Sequence, residues 1–172
     1  MTPVMTLLAR RRVPLGFVAV TVTLVLAVPT WQTWRSGLLI ALIGECFRMW
    51  AAGHLEKGRE VTRSGPYRLM RHPLYAGSAV IALGIVVAAR SVAALVIAVL
   101  YMGSTIAAAV RAEEAQMRHA FGSTYDDYQA SRAEPMARPF SVARAIRNRE
   151  HRAIAGLLAG FALLAFKVAA LR

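Results

Sequence analysis

The stretch LYAGSAVIALGIVVAARSVAALVIAVLYMGSTIAAAV, residues 74–110, decides the fold. It is apolar throughout except for its Arg90-Ser91 break. As one helix, at about 1.5 Å per residue, it would run roughly 55 Å, far beyond a bilayer core of about 30 Å. A tight hairpin of two helices, 74–89 and 92–110, is therefore expected, turning at Arg90-Ser91. Three more apolar stretches, 13–28, 37–53 and 153–170, bring the number to five. Each covers roughly 24–29 Å, so some must borrow flanking residues such as Trp31 or tilt little to span. The chain is 57% hydrophobic and 17% charged, outside the range of an ordinary soluble domain. The fold class expected is all-α and integral to the membrane, with about five transmembrane helices forming a single domain over residues 1–172. A cleaved signal peptide is not expected, because Pro29, Trp31 and Trp34 follow the first apolar stretch in place of a small-x-small cleavage pattern.

The arginines and lysines orient these helices. Arg10, Arg11 and Arg12 precede the first apolar stretch; Lys57, Arg59, Arg63, Arg68 and Arg71 lie between the second and third; eight arginines from Arg111 to Arg152 lie between the fourth and fifth. The other side holds only Arg35, Arg90 and Arg172. By the positive-inside rule the N-terminus and both long loops face the cytoplasm, in a bacterial cell from the inner membrane. The net charge of +12 is then mainly a topology signal with added attraction to anionic membrane lipids. Nucleic-acid binding is not expected, since no stacking platform is interleaved with the basic residues.

Two polar segments fall on that same side. The first, GPYRLMRHPLYAG at 65–77, holds two prolines. Pro66 and Pro73 make it irregular and bias Gly65 and His72 toward extended backbone. Pro73 suits the first turn of a helix, whose positive end favours an anion nearby. Gly77 allows close approach of a ligand or of a neighbouring helix. Arg71 and His72 offer donors, and Tyr67 and Tyr75 offer rings and hydroxyls, although a single interfacial Tyr or Arg is more often a membrane anchor. The second segment is Arg111-Ala-Glu-Glu114. Glu113 and Glu114 lie about 100° apart on a helix and cannot face one direction. A solvated turn in which Arg111 and Arg118 pair with Glu114 is the plain alternative to a site.

The order GPYxxxRHPLYxG, RxEE, then Phe121-Gly122-x-x-Tyr125-x-x-Tyr128 and Arg138-Pro139-Phe140 resembles the isoprenylcysteine carboxyl methyltransferase family and the related phospholipid methyltransferases. The resemblance covers roughly residues 61–140; beyond them the chain is similar only in being hydrophobic. It implies an integral membrane enzyme that binds S-adenosylmethionine on the cytosolic side, between the His-Pro segment and the Glu-Glu helix, with 61–140 as cofactor-binding and catalytic region. It also implies a lipophilic methyl acceptor. By the same resemblance Glu113 or Glu114 would hold the amino group or ribose. Arg71, His72 and donors near Pro73 would take other polar groups, with Tyr67 and Gly77 in the same segment. Tyr75, Phe121, Tyr125 and Tyr128 would wall the adenine or face the sulfonium, core packing being the alternative for Phe121. Arg71, Arg111 and Glu114 are the catalytic candidates.

The residue chemistry is compatible. That cofactor presents an ammonium, a carboxylate, a ribose, an adenine and a sulfonium, which call for carboxylates, cationic donors and aromatic walls. Methyl transfer is an in-line displacement served by positioning, and a carboxylate acceptor needs no base. Arg111 can grip an anionic acceptor, or pair with Glu114 or a lipid phosphate. Glu45 and Arg48, three apart in the second apolar stretch, could support Arg111, line the acceptor path or clasp helices together. Cys46, the one cysteine, allows no intrachain disulfide, and no metal-ligand spacing links His54, His72, His119 and His151. Lys167 is near enough to a helix end to snorkel outward, and Gly156 and Gly160 are spaced for helix packing or a dimer face. Two other classes compete: a membrane reductase using a nicotinamide cofactor, of the sterol-reductase type, and a non-catalytic membrane protein that keeps the pocket.

Overall fold

A computed structural model describes residues 3–170, with the side chains of residues 3–10 and of Arg12 outside the description. The charges of Arg10 and Arg12, and all of Arg172, counted above for topology, therefore lie outside the described residues. The described residues form seven α-helices and one 3-10 turn, with no strand among them: α1 Pro3–Leu26, α2 Trp31–Ala52, the 3-10 turn Gly65–Arg68, α3 Pro73–Ala89, α4 Val92–Phe121, α5 Ser123–Gln129, α6 Val142–Arg147 and α7 Glu150–Ala170. Five of these helices carry the five apolar stretches. Of them, α4 and α7 are long and apolar enough to cross a membrane unaided, while α1 and α3 contribute the shorter apolar helices Val13–Leu26 and Pro73–Ala89. Helix α2 carries Arg35, Glu45 and Arg48 along its length.

The expected hairpin is present. Arg90 closes α3 in the left-handed conformation (φ 48°, ψ 46°), and the Ser91 hydroxyl accepts from the Ala94 amide to start α4. Two elements run further than their apolar stretches. Helix α1 begins at Pro3, so the three arginines are inside it and do not precede it. Helix α4 continues to Phe121 and lifts Arg111, Glu113 and Glu114 beyond its apolar part.

The tightest packing joins α2 to α3 along a seam of small residues. A Cβ added at Gly37 would lie 2.4 Å from the Gly84 carbonyl oxygen, and one at Gly44 would lie 2.8 Å from that of Gly77. Ala41 and Ala88 complete the seam, both fully buried. Where lipid tails are as apolar as leucine, close backbone approach supplies the van der Waals contact that holds helices together. Gly77 thus serves the approach of a neighbouring helix; its Cα faces Arg48 and Gly44. The spacing singled out in the sequence, Gly156 and Gly160, plays no such part among the described residues, where a Cβ at either would meet nothing within 4 Å. At one end of the bundle the Val28 amide donates to the Ala89 carbonyl at 2.8 Å, and Trp34 Nε1 ties α2 to α7 through the Phe161 carbonyl at 2.8 Å. Lys167 does not simply reach outward: Nζ donates to the last carbonyls of α1, at Leu24 (3.0 Å) and Val25 (2.7 Å), where a cation is favoured.

At the opposite end, residues 131–149 fold back along the loop that follows α2. The Met136 amide donates to the Arg63 carbonyl at 3.1 Å, and Arg138 grips Glu60 with two bonds of 2.6 and 2.7 Å. Arg144 donates to Glu56 at 2.8 Å, and Asn148 donates to the Ala52 and Leu55 carbonyls. Phe140 packs on Gly53 so closely that a Cβ there would stand 2.1 Å from its ring. The Arg-Pro-Phe ending is therefore a strap across the 53–64 loop.

Candidate functional site

Pro73 starts α3, as expected, with His72 as its N-cap residue (φ −128°, ψ 58°). Gly65 departs from the expected extended backbone: it takes φ +55°, which glycine adopts without cost, and rests against the His54 ring. The 3-10 turn and this N-terminus set Tyr67, Arg71, His72 and Tyr75 around the projecting end of α4.

There the two motifs meet. Glu114 Oε1 accepts from Arg71 Nη1 at 3.2 Å and lies 3.1 Å from His72 Nε2. The Tyr75 hydroxyl donates to Glu113 Oε2 at 3.0 Å. The two carboxylates do point apart, yet both engage the same segment, because Arg71 and His72 precede the first turn of α3 and Tyr75 lies within it. The anion at the head of α3 is thus the chain's own Glu114. The in-helix pairing of Arg118 with Glu114 is not what forms: Arg118 turns to Asp126 (3.0 Å) and Gln129 (2.6 Å).

A cavity of about 290 Å³ opens beside this cluster, at the lower end of the size range of small-molecule sites. Its walls include Tyr67, Arg71, His72, Pro73, Tyr75 and Glu113. Sequence reading missed Lys57 and Thr105 as wall residues. Lys57 had been counted only toward orientation, and Thr105 is visible only once Tyr101, Thr105, Ala109 and Glu113 are seen as a helical series on α4. Tyr125 and Tyr128 stand outside this wall. Tyr125 is buried and Tyr128 donates to the Tyr67 carbonyl at 2.8 Å, so α5 buttresses the 3-10 turn from behind. Burial pushes the Tyr128 phenol up to about 12 and raises those of Tyr67 and Tyr125, Glu113 and Glu114 respectively adding to the rise. These phenols are donors and ring surfaces, not bases. Gly77 belongs to the α2–α3 seam, and exposed Arg111 lies outside the walls of this cavity and of its neighbour.

That neighbour is an apolar cavity of about 630 Å³, open on one side and lined by residues of α1, α2, α3, α4 and α7. Gly156 and Gly160 line it, which explains the open space around an added Cβ at either among the described residues. Arg48, Ser78, Tyr101 and Met102 belong to both cavities and mark their junction. Arg48 is not chiefly the partner of Glu45, as its spacing suggested: Nε donates to Glu150 Oε1 at 2.7 Å and lies 3.9 Å from Glu45 Oε2. Among the described residues there is no cluster of three groups able to hold a metal ion.

Residues 14–124 of the 172-residue chain match the phospholipid methyltransferase family. The match reaches back through α2 into the middle of α1, well before the motifs, and stops short of Tyr125. Comparison with curated proteins and with solved structures returned no match.

Proposed function

The chain belongs to the phospholipid methyltransferase family, one of membrane methyltransferases acting on lipid, and on that premise we propose that it transfers a methyl group from S-adenosylmethionine to a lipophilic acceptor. The observation that carries this reading is the junction of a polar cavity with an apolar one at Arg48, Ser78, Tyr101 and Met102. The donor set of the smaller cavity fits the cofactor. Glu113 suits an ammonium or a ribose diol; Arg71, Lys57 and His72 suit a carboxylate; Tyr67 and Tyr75 offer ring faces to adenine or a cation. When bound, the cofactor supplies an electrophilic methyl carried on a sulfonium.

The chain's own part is positioning. Glu114 fixes Arg71 and His72 at the rim, Tyr75 fixes Glu113, and Tyr128 fixes the turn that presents Tyr67. Ordering both reactants in this way replaces a bimolecular encounter, and no covalent nucleophile is required. The apolar cavity takes the acceptor's chain, each buried methylene contributing roughly 0.8 kcal/mol. Residues 61–140 form the core of the cofactor site, with Arg48 and Lys57 added from outside that range. Five helices cross the membrane and the site faces the cytoplasm, as the arginine distribution favours.

Calorimetry on the purified protein tests the reading. S-adenosylhomocysteine should bind and NADPH should not. Binding of NADPH alone would move the chain to the reductase class, and binding of neither would leave no role for the polar cavity in methyl transfer.

A further inference from the structure

Helix α6 turns its side chains the opposite way from a helix in water. Arg144 and Ala145 face the protein: Arg144 donates to Glu56 at 2.8 Å and to the Gly53 carbonyl, and Ala145 is buried. Val142, Ala143 and Ile146 lie within about 100° of one another on the helix and face outward, Val142 being 61% and Ile146 55% exposed. Its place in the chain says what this apolar face meets. Only Asn148 and Arg149 separate α6 from α7, whose 21 residues run about 31 Å, the thickness of a bilayer core. Helix α6 therefore lies at the level where hydrocarbon gives way to lipid head groups. The arginines at this level are not balanced within the chain. Arg138 meets Glu60, Arg144 and Arg147 meet Glu56, and Glu150 meets Arg48. Arg149 and Arg152 are exposed and form no ion pair among the described residues.

We propose that α6 is an in-plane membrane anchor that selects anionic phospholipid: Val142, Ala143 and Ile146 sink into the boundary between acyl chains and head groups, and Arg149 and Arg152 bind lipid phosphate. The proposal goes beyond the methyltransfer reading and does not depend on it. An anionic leaflet supplies both things this surface lacks, hydrocarbon against the outward face and negative charge beside the two unmatched guanidinium groups. An uncharged leaflet supplies only the first. The anchor also reaches the polar cavity through the chain. Asn148 Nδ2 donates to the Leu55 carbonyl at 2.9 Å, and Leu55 and Lys57 are in the cavity wall. Lipid held at α6 thus steadies the strap that braces this wall.

The test uses the full chain in lipid discs, with Ile146→Cys in a Cys46→Ser background carrying a fluorescent label. Phosphatidylglycerol or phosphatidylcholine with brominated acyl chains is added in increasing proportion, and quenching of the label is read. Both lipids should quench, because the face is inserted, and phosphatidylglycerol should do so at a mole fraction about fivefold lower. That preference should disappear in Arg149→Gln/Arg152→Gln, and in the parent protein at 1 M salt, where charge attraction is screened. No quenching by either lipid would place α6 in water and overturn the proposal. Equal quenching by the two lipids at low salt, or a preference that survives both the double substitution and 1 M salt, would overturn the selection of anionic lipid by these arginines. Quenching lost in discs that hold two copies of the chain would assign the apolar face to a second copy and overturn the anchor as well.

Discussion

His72 Nε2 lies 3.1 Å from Glu114 Oε1, across 42 positions of sequence. That contact joins the His-Pro segment at the head of α3 to the projecting end of α4, and Arg71 shares the same carboxylate oxygen. The polar cavity lies between these two helix ends, lined by Arg71, His72 and Tyr75 on one side and Glu113 on the other.

Glu114→Gln keeps the shape of the side chain and removes its charge. The rim around Arg71 and His72 should loosen, weakening S-adenosylhomocysteine binding by about tenfold, roughly 1.4 kcal/mol. Glu113→Gln should weaken it at least as much, because Glu113 lines the cavity itself. Isothermal titration of the two variants measures both.

The α2–α3 seam should tolerate no added carbon. Gly37→Ala and Gly44→Ala place a Cβ 2.4–2.8 Å from backbone oxygen, and overpacking of this kind costs about 1–3 kcal/mol. Gly156→Ala, with open space around it, should leave the melting temperature unchanged or raise it. Thermal unfolding in detergent separates the two cases.

Acid should destabilise the protein through His54. Burial lowers its affinity for a proton, and Arg144 and Arg138 lower it further. The unfolded chain binds that proton more readily, so this contribution is complete above the ordinary value of 6.5 and is lost as pH falls below it. Denaturation followed from pH 7.5 to 5 should show stability dropping in the wild type, and less steeply in His54→Gln.

Topology has a direct readout. In a Cys46→Ser background, cysteines placed at Arg63 and Ser131 should be labelled from the cytoplasmic face, and one at Arg90 from the other face. The Met136–Arg63 backbone bond requires the first two to lie at one end of the bundle. Labelling them from opposite faces would contradict that arrangement.

The hairpin was legible because Arg90-Ser91 interrupts an apolar run too long for one helix. The meeting of Arg71, His72 and Tyr75 with Glu113 and Glu114 was legible because both motifs fall on one side of the chain's arginine distribution. The seam of Gly37, Gly44, Gly77 and Gly84 was not, since small residues spaced by three, four and seven look the same whether they face a helix, as these do, or a cavity, as Gly156 and Gly160 do. Arg48 was assigned to Glu45 by its position three residues away; Glu150, 102 residues off, holds it because α7 packs on α2, and no local pattern carries that. The resemblance assigns Tyr125 and Tyr128 to the cofactor; the burial of Tyr125 and the bond from half-buried Tyr128 to the Tyr67 carbonyl depend on how α5 turns back at Gly122, where φ is +50°, and no local pattern carries that.

The central claim is that a water-soluble methyl donor and a lipophilic acceptor meet where the two cavities join. The most direct measurement supplies S-adenosylmethionine with a radiolabelled methyl group to the purified protein in membrane lipid, then counts label in the organic and aqueous phases. The account predicts label in the organic phase with the wild type and a fall of at least about tenfold with Glu113→Gln. Label confined to the aqueous phase by a protein that still binds S-adenosylhomocysteine would contradict it.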